Sequence, residues 1–460
     1  MAATEPTTVA PPAAHEGILR RQSLRESAAR TYARSLPIVP VRARGLTIEG
    51  ADGRRYLDCL SGAGTLALGH NHPVVLEAIR KVIDSGAPLH VLDLATPVKD
   101  AFTTELFATL PRQLADDARI QFCGPAGTDA VEAALKLVRT ATGRTGLLAF
   151  TGAYHGMTAG ALDASGGATD VRVTRLPYPH DYRCPFGVGG ERGAELSARW
   201  AESLLDDPKS GVPDPAGMIL EPVQGEGGVI PAPDDWLRRM RRITAERAIP
   251  LIADEVQTGV GRTGAFWAVD HSGVVPDVMV MSKAIGGSLP LAVIVYRSAL
   301  DVWQPGAHAG TFRGNQLAMA AGAATLTFVR ENRLAERAAT LGARMLGRLQ
   351  GLAAMHPCIG DVRGRGLMLG VELVDPDAEG PHDGAPPPAP ALAAAVQRAC
   401  LDRGLIVELG GRHSAVVRLL PPLTLTDEQA AAVLDRFADA LTAAERTRHH
   451  PLPNDTGPSR

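Results

Sequence analysis

The sequence predicts an α/β protein with a large domain built on a mostly parallel sheet, followed by a smaller α+β domain. Two patterns predict this division. From about residue 60 to residue 330, short apolar runs alternate with helical patterns, as in parallel sheets whose strands are joined by helices. From residue 331 the pattern becomes a long helix, strand candidates at 367–373 and 416–420, and a last helix that begins at Asp427 behind Thr426.

The chain is therefore expected to contain five segments. They are a disordered arm (1–16), a segment that packs with the small domain (17–60), the large domain (61–330), the small C-terminal domain (331–446) and a flexible tail (447–460). Within the small domain, the Pro- and Gly-rich stretch 375–390 is expected to be an exposed loop.

The composition excludes several classes of function. A chain of 460 residues with net charge −3 and 45% hydrophobic residues is an ordinary globular protein without the basic surface that nucleic acids need. Its five cysteines are scattered and form no CxxC pair, so we expect no disulfide framework and no metal site, and a cytoplasmic location. The most apolar long window, 278–296, contains Lys283 and Pro290, which argues against a membrane span.

Six short apolar runs are the strand candidates of the large domain. They are Ile120–Cys123, Leu147–Phe150, Met218–Leu220, Pro250–Ala253, Val278–Met281 and Leu291–Tyr296. Asp129, with Glu132 three residues later, is expected to begin the helix after the first run, as in a capping box. The last run is apolar at almost every position, which indicates burial on both faces, as in a parallel sheet.

Residues that can carry chemistry follow several of these strands. They are Gly124–Thr128, Gly152–Gly156, Glu221, Asp254 and Lys283. Ligands of open α/β sheets bind beyond the carboxyl ends of the strands, so these residues are candidates for one shared site. The set supplies a possible phosphate loop, an aromatic ring, two carboxylates and an amine.

Three of these positions have a chemical interpretation and a structural alternative. Gly127 and Thr128 precede a helix, where free N–H groups suit a phosphate, but the same pair is common in ordinary strand-to-helix turns. Asp254 could keep a heteroaromatic nitrogen protonated, or it could cap a helix or form an ion pair. Lys283 lies among apolar residues that favour a neutral, nucleophilic amine suited to a Schiff base; alternatively, its amine reaches water from the strand end.

The remaining candidates are equally ambiguous on their own. Tyr154, followed by His155, could stack on a flat cofactor or belong to the core. Glu221 and Glu226 lie in a glycine-rich loop and could be catalytic or simply solvated. Arg418 lies inside an apolar strand and needs an anionic partner, either a structural carboxylate or the carboxylate of a substrate.

Together these residues resemble the class III aminotransferases, enzymes of fold type I that use pyridoxal 5′-phosphate (PLP). The match runs from Ser61–Pro73 to Arg418–Pro422. Its most specific stretches are Glu221–Gly228, Ala253–Gly264, Ser282–Gly287 and Gly310–Asn315. Several independent motifs in the order of the family weaken the structural alternative for each residue.

The resemblance implies a role for each cofactor-site residue. Lys283 would join PLP covalently and then move the proton between the substrate carbon and the cofactor, and Asp254 would pair with the pyridinium nitrogen. Gln257 would bind the ring hydroxyl, Val256 would press on one ring face, and Tyr154, beside His155, would stack on the other. Gly127 and Thr128 would hold the phosphate, together with Thr311 of a neighbouring subunit, which implies a homodimer. Glu221 would lie near the cofactor.

The resemblance also assigns residues to the substrates. Arg418 would grip the α-carboxylate of glutamate or 2-oxoglutarate, and Glu226 would neutralise this arginine when an ω-amine is bound. Ornithine and 4-aminobutyrate members carry an arginine where this chain has Met157, so these two activities are disfavoured. The stretches 92–99 and 121–136 are similar to the branch that acts on 2,4-diaminobutyrate and 2-oxoglutarate.

The implied reaction is reversible transfer of the γ-amino group between L-2,4-diaminobutyrate and 2-oxoglutarate, giving L-aspartate 4-semialdehyde and L-glutamate. Another class III reaction is the alternative: an aminotransferase for a different ω-amine, diamine or amino sugar, or an aminomutase or racemase. A Glu226–Arg418 switch fits alternating substrates better than a racemase with one substrate. A non-catalytic scaffold is a further alternative, which the complete set of cofactor-contact residues disfavours.

Overall fold

The computed structural model describes residues 12–167, 173–378, 380 and 384–449. The helices are α1 Pro12–Arg25, α2 Tyr32–Ser35, α3 Pro73–Asp84, α4 Pro97–Phe107, α5 Arg112–Ala115, α6 Gly127–Thr142, α7 Ala159–Ser165, α8 Gly190–Asp206, α9 Asp234–Glu246, α10 Gln316–Glu331, α11 Leu334–Ala353, α12 Pro390–Asp402 and α13 Asp427–His449. Short 3₁₀ helices lie at Ala268–His271, Lys283–Gly286, Ser298–Leu300 and Thr311–Gly314.

The strands are β1 Pro40–Arg44, β2 Thr47–Gly50, β3 Arg55–Asp58, β4 Ala118–Phe122, β5 Gly146–Phe150, β6 Val173–Leu176, β7 Pro215–Leu220, β8 Val223–Gln224, β9 Ile230–Pro231, β10 Leu251–Asp254, β11 Val278–Met281, β12 Val293–Arg297, β13 Ile359–Arg365, β14 Met368–Leu373, β15 Leu405–Ile406, β16 Glu408–Gly410 and β17 Val416–Leu419.

Seven of the described strands form the central sheet, in the order β4-β12-β11-β10-β7-β5-β6. Apart from β12, all point the same way, so the predicted α/β fold with a mostly parallel sheet is confirmed. The parallel interpretation of 291–296 was wrong: β12 is buried on both faces but runs antiparallel to both neighbours. Covering both faces of a sheet with helices buries a strand of either direction, so an apolar run does not define its orientation.

Helices cover the two faces of this sheet. Helix α6 packs on one face with an apolar side that includes Val131 and Leu135, and α8 and α9 cover the other, where Trp236 and Met240 are buried. Helix α6 begins at Gly127, two residues before the predicted start at Asp129. Asp129 itself accepts a hydrogen bond from the N–H of Ala126 (3.0 Å), so it lies in the first turn rather than ahead of it.

The smaller region contains a four-stranded antiparallel sheet in the order β13-β14-β17-β16. Helix α13 begins behind Thr426, as the sequence indicates: the Thr426 hydroxyl accepts from the N–H of Gln429 (3.2 Å), whose side chain accepts from the N–H of Thr426 (3.0 Å). A second sheet, β1-β2-β3-β15, joins the N-terminal strands to Leu405–Ile406.

The predicted arm and tail fall only partly on described residues. Residues 1–11 and 450–460 lie outside them, helix α1 already begins at Pro12, and α13 runs to His449. The expected exposed loop 375–390 is described except for residues 379 and 381–383, and a β-bridge joins Val374 to Pro388. Among the described helices, none combines the length and apolar character that crossing a membrane requires.

Candidate active site

A cavity of about 270 Å³ lies at the carboxyl edge of the central sheet. Its walls contain ten of the twelve predicted site residues: Gly127, Thr128, Tyr154, His155, Glu221, Glu226, Asp254, Val256, Gln257 and Lys283. Ala126, Gly156 and Met157 complete the lining. Residues from five separate loops meet here because β4, β5, β7, β10 and β11 all end at this edge.

A larger cavity is not the candidate site. A cavity of about 540 Å³ is lined by Arg183, Arg363, Glu372 and Arg412, among others, and contains none of the predicted site residues. Size alone is therefore a poor guide here, since the smaller cavity combines an amine, carboxylates and a helix N-terminus.

Asp254 and His155 form a buried ion pair at the base of the smaller cavity. The Nδ1 of His155 lies 2.7 Å from one oxygen of Asp254, and the other oxygen accepts from the N–H of Val256 (3.0 Å). Burial opposes the charged imidazole, but the hydrogen bond and the charges of Asp254 and Glu221 outweigh it and raise the pKa of His155. The position of the Asp254 carboxylate is therefore set from two sides.

Glu221 lies beside this pair and is also buried. Its two oxygens accept from the N–H groups of Tyr154 and Gly225, each at 3.0 Å. Burial raises the pKa of Glu221 to about 7, against the lowering effect of His155. The carboxyl of Glu221 thus links the loop after β5 to the loop after β7 by hydrogen bonds.

Lys283 begins the turn after β11 and reaches into the cavity. Its φ is +50°, a left-handed conformation that a lysine adopts only when the surrounding structure enforces it. Desolvation lowers the pKa of Lys283, although Glu226 and Asp254 act in the opposite direction. Within the described chain, no hydrogen bond or ion pair is found for its Nζ. Lys283 thus offers an amine that is more easily deprotonated than an exposed one.

Thr128 and two glycines shape the opposite end of the cavity at the N-terminus of α6. The hydroxyl of Thr128 lies 2.6 Å from that of Thr158 and accepts from the Thr158 N–H at 3.2 Å. A Cβ on Gly156 would come within 2.4 Å of the Thr128 hydroxyl, and one on Gly127 within 3.0 Å of Val256. The free N–H groups of the first helical turn and this close approach are suited to a bound anion.

Val256 and Tyr154 border the space between these two ends. Val256 is held above Asp254 by the backbone hydrogen bond already described. Tyr154 is 43% exposed, so its ring lies at the cavity mouth rather than in the core. Gln257 donates to the carbonyl of Ala63 (3.2 Å), and its own oxygen lies 3.4 Å from Nη1 of Arg418.

Arg418 lies behind Gln257 and Glu226 and is fully buried. Its Nη2 is 2.7 Å from Glu226 and 2.6 Å from Glu408. The hydroxyl of Tyr32, from the N-terminal helix α2, donates to the second oxygen of Glu408 at 2.7 Å. Burial opposes the charge of Arg418, but the two carboxylates outweigh it and raise its pKa. The sequence predicts an anionic partner for Arg418, and the structure contains two, Glu226 and Glu408.

Sequence reasoning missed three residues of this site: Glu408, Tyr32 and Thr158. Glu408 could have been found from the sequence, because it is a charged residue between the apolar Val407 and Leu409. The same pattern singled out Arg418 in its own strand. No such pattern marks Tyr32 and Thr158, because their contacts join segments that are far apart in the sequence.

Thr311 is one of the predicted site residues that does not line the cavity. It is exposed at the start of the short helix Thr311–Gly314, next to Phe312, whose ring is 66% exposed and contacts the ring of His90. In this chain, Thr311 therefore lies outside the cavity that holds the other predicted cofactor residues.

Comparison with known proteins gives a consistent result. The family model for class III aminotransferases matches residues 28–441. The chain is 56% identical over 434 residues to the diaminobutyrate--2-oxoglutarate aminotransferase of Rhizobium meliloti, covering 93% of this chain and 92% of that protein. It is 47% identical over 440 residues to the enzyme of the same name from Haemophilus influenzae, covering 94% and 96%.

The fold is similar to solved transaminases. One is an amine transaminase from an uncultivated Pseudomonas species in its PLP-bound form, with a TM-score of 0.80, 28% identity, and coverage of 96% of this chain and 99% of that chain. Another is an (S)-enantioselective omega-transaminase from Thermomicrobium roseum, with a TM-score of 0.81, 27% identity, and coverage of 93% and 98%. The predicted fold type I architecture is thereby confirmed, and the chain belongs to the class III aminotransferase family.

Proposed function

We propose that this protein is a PLP-dependent aminotransferase acting on L-2,4-diaminobutyrate and 2-oxoglutarate. It moves the γ-amino group reversibly and forms L-aspartate 4-semialdehyde and L-glutamate. The observation that carries the proposal is the cavity in which Lys283, the His155–Asp254 pair and the N-terminus of α6 meet. The names of the relatives that are 56% and 47% identical support the choice of substrates.

The cavity fits PLP at each of its chemical groups. The N-terminus of α6, with Thr128 and without a Cβ at Gly127 or Gly156, fits the phosphate. Asp254 fits the ring nitrogen, and Val256 and Tyr154 fit the two ring faces. Gln257 would bind the ring hydroxyl, and Glu221 holds the loop that carries Tyr154. When bound, PLP supplies a ring that accepts the electrons left behind as a proton leaves the substrate carbon.

The protein side chains do the rest of the chemistry. Lys283 would hold the aldehyde carbon of the cofactor. When its amine is free, Lys283 would take the proton from the substrate carbon. The lowered pKa of Lys283 favours the neutral amine that this step requires. Asp254 would face the ring nitrogen, and the 2.7 Å hydrogen bond with His155 holds its carboxylate in position.

Two substrates share this cavity at different times. The α-carboxylate of 2-oxoglutarate or glutamate adjoins the reacting carbon and binds to Arg418 in place of Glu226. Diaminobutyrate has no carboxylate next to its reacting carbon, and Glu226 then neutralises the arginine. Met157, which is 67% exposed at the rim, provides no charge for a distal carboxylate.

The enzyme is further proposed to be a cytoplasmic homodimer. Around Thr311, the segments 89–94 and 311–316 are joined by backbone contacts and expose Leu89, Leu92, Leu94 and Phe312. An apolar patch of this kind suits a partner surface, and a second copy would bring Thr311 to the phosphate of the neighbouring site. The five cysteines are all buried and are not joined in disulfides, in keeping with a reducing compartment.

Replacement of Lys283 tests the proposal. In Lys283→Ala we expect loss of turnover and loss of the PLP adduct that borohydride reduction fixes to the wild-type protein. Lys209→Ala, which removes an exposed lysine, is the matched control and should keep both. Multiple turnover by Lys283→Ala at more than a few per cent of the wild-type rate would refute the mechanism.

A donor panel tests the substrates. Diaminobutyrate, ornithine and 4-aminobutyrate are supplied with 2-oxoglutarate, and glutamate is measured. We expect diaminobutyrate to give the highest kcat/KM, with one 2-oxoglutarate consumed per amine transferred. Turnover without any keto acid would instead indicate an aminomutase or a racemase.

A further inference from the structure

The cation at the substrate end of the cavity is shared by two carboxylates. Glu226 and Glu408 both contact Nη2 of Arg418, at 2.7 and 2.6 Å. One positive charge therefore faces two negative ones in a buried space. A switch that releases one carboxylate to admit a substrate needs only one such partner, so the second carboxylate requires its own explanation.

The two carboxylates are held very differently. Glu408 lies on β16 directly opposite Arg418 on β17 in an antiparallel pair, its side chain is 6% exposed, and Tyr32 fixes its other oxygen. The side chain of Glu226 is 31% exposed and lies in a loop whose neighbours, Gly225 and Gly227, are both glycine. Glu226 can leave Arg418 by a movement of its loop or side chain, whereas Glu408 is held beside Arg418 by its place on the neighbouring strand and by the hydrogen bond from Tyr32.

We propose that Glu408, oriented by Tyr32, is the permanent counter-ion of Arg418 and a positioning residue for the carboxylate of the keto-acid substrate. The proposal rests on the proposed function, in which Arg418 binds that carboxylate. Glu408 keeps the guanidinium charge partnered and its plane fixed during the interval in which Glu226 has left and the substrate carboxylate has not yet arrived. A fully buried arginine without any partner would be strongly disfavoured. Glu408 therefore stabilises Arg418 in the state that has neither Glu226 nor the substrate carboxylate beside it.

The arrangement also accounts for the role of Tyr32. Glu408 faces Arg418, Glu226, Tyr32 and Lys283. Burial raises the pKa of Glu408, Glu226 raises it further, and Arg418, Lys283 and the hydrogen bond from Tyr32 lower it. Tyr32 thus helps Glu408 to remain ionised, which it must do to hold the guanidinium.

The test compares the binding of a carboxylate with the two halves of the reaction. In the holoenzyme, Glu408→Gln is expected to raise the dissociation constant of glutarate, a dicarboxylate without a reacting group, and the KM for 2-oxoglutarate. We expect about a tenfold change in each, roughly the effect of losing one close charge pair. The half-reaction with diaminobutyrate should change less than about twofold, because Glu226 still pairs with Arg418 there.

Two further variants separate this inference from the function on which it rests. Arg418→Lys should weaken glutarate binding at least as much as Glu408→Gln. Glu372→Gln, which removes another buried, arginine-paired carboxylate of the same sheet, should leave glutarate binding unchanged. If Arg418→Lys weakens binding and Glu408→Gln behaves like Glu372→Gln, the role of Glu408 is refuted and the aminotransferase proposal stands. If Arg418→Lys has no effect, the assignment of Arg418 fails, and the role of Glu408 fails with it.

Tyr32→Phe provides a measurement that does not depend on removing the buried charge. The lost hydrogen bond should raise the pKa of Glu408, so glutarate binding should weaken at a higher pH than in the wild type. In the double variant Tyr32→Phe/Glu408→Gln, the change in the pH at which glutarate binding weakens should disappear. If glutarate binding weakens at the same pH in Tyr32→Phe as in the wild type, and the variant has wild-type circular dichroism, the proposal is overturned.

Discussion

The base of the cavity (His155, Asp254 and Glu221) and the arginine cluster at its substrate end (Arg418, Glu226 and Glu408) arrange their charges in different ways. At the base, each carboxylate has fixed partners: Asp254 has His155 and a backbone N–H, and Glu221 has two backbone N–H groups. At the arginine cluster, a single guanidinium serves both Glu226 and Glu408. Each carboxylate of the base therefore has its own partners, while the two carboxylates of the cluster share one guanidinium.

This difference matches what each region has to do in the proposed reaction. The cofactor ring needs the same anion in both halves of the reaction, so a rigid pair is suitable. The substrate end must accept a carboxylate in one half and do without it in the other, so one of its partners has to be exchangeable. Changes at the base should therefore affect both halves equally, and changes at the cluster should affect them unequally.

The largest effect is expected for Asp254→Asn, which removes the anion opposite the ring nitrogen and keeps its shape. We expect kcat to fall by about a thousandfold, equally with diaminobutyrate and with glutamate as donor. Asp270→Asn, at a carboxylate that accepts from the N–H of Trp267 outside the cavity, should stay within about twofold of wild type in the same assay. A loss in only one direction would show that Asp254 serves a substrate and not the cofactor.

A second effect concerns the pH dependence of stability at the base. Glu255 follows Asp254, accepts hydrogen bonds from Thr258 and from the N–H of Val269, and has its pKa raised by burial to about 7. A carboxyl with a raised folded-state pKa stabilises the fold below its unfolded pKa, and this contribution is lost as the pH rises towards 7. We expect a loss of about 3 kcal/mol from this group, since the folded-state pKa lies between two and three units above the ordinary value.

Thermal unfolding of the holoenzyme at pH 5 and pH 8 measures this contribution. In Glu255→Gln, which cannot ionise, the midpoint should fall less between these pH values than in the wild type. Glu246→Gln, at an exposed carboxylate on α9, is the control and should follow the wild type. Identical pH dependence in Glu255→Gln and wild type would mean that Glu255 is ionised in the folded protein.

The smallest effect is expected for His155→Gln, which keeps a hydrogen bond to Asp254 but loses the balancing charge. We expect kcat to fall by about tenfold in both half-reactions, since one charged hydrogen bond is replaced by a neutral one. Rapid-mixing absorbance of the bound cofactor measures each half separately. If the rates of the two half-reactions fall by different factors, the base does not act equally in both halves, and the proposed difference between the base and the arginine cluster is wrong.

Much of the fold and the site was predictable from local patterns. The strands at 147–150 and 278–281 were predicted within one residue of their observed ends, because each is a compact apolar run bounded by polar or glycine residues. Strand β6 was missed, since Val173–Leu176 has only four residues and its two apolar ends enclose the polar Thr174 and the charged Arg175. The direction of β12 was also beyond the local pattern, because it depends on which strands it lies between.

The sequence by itself determined which residues carry chemistry and that they follow the ends of strands: Lys283, Asp254, Glu221 and the pair Gly127–Thr128. Only the tertiary structure decided the electrostatic balance among them. That Arg418 has two carboxylates, one fixed across a sheet and one on a glycine loop, follows from contacts between segments up to 376 residues apart. Local periodicity reports burial and backbone conformation, but the charge that a buried group meets depends on which distant strand lies beside it.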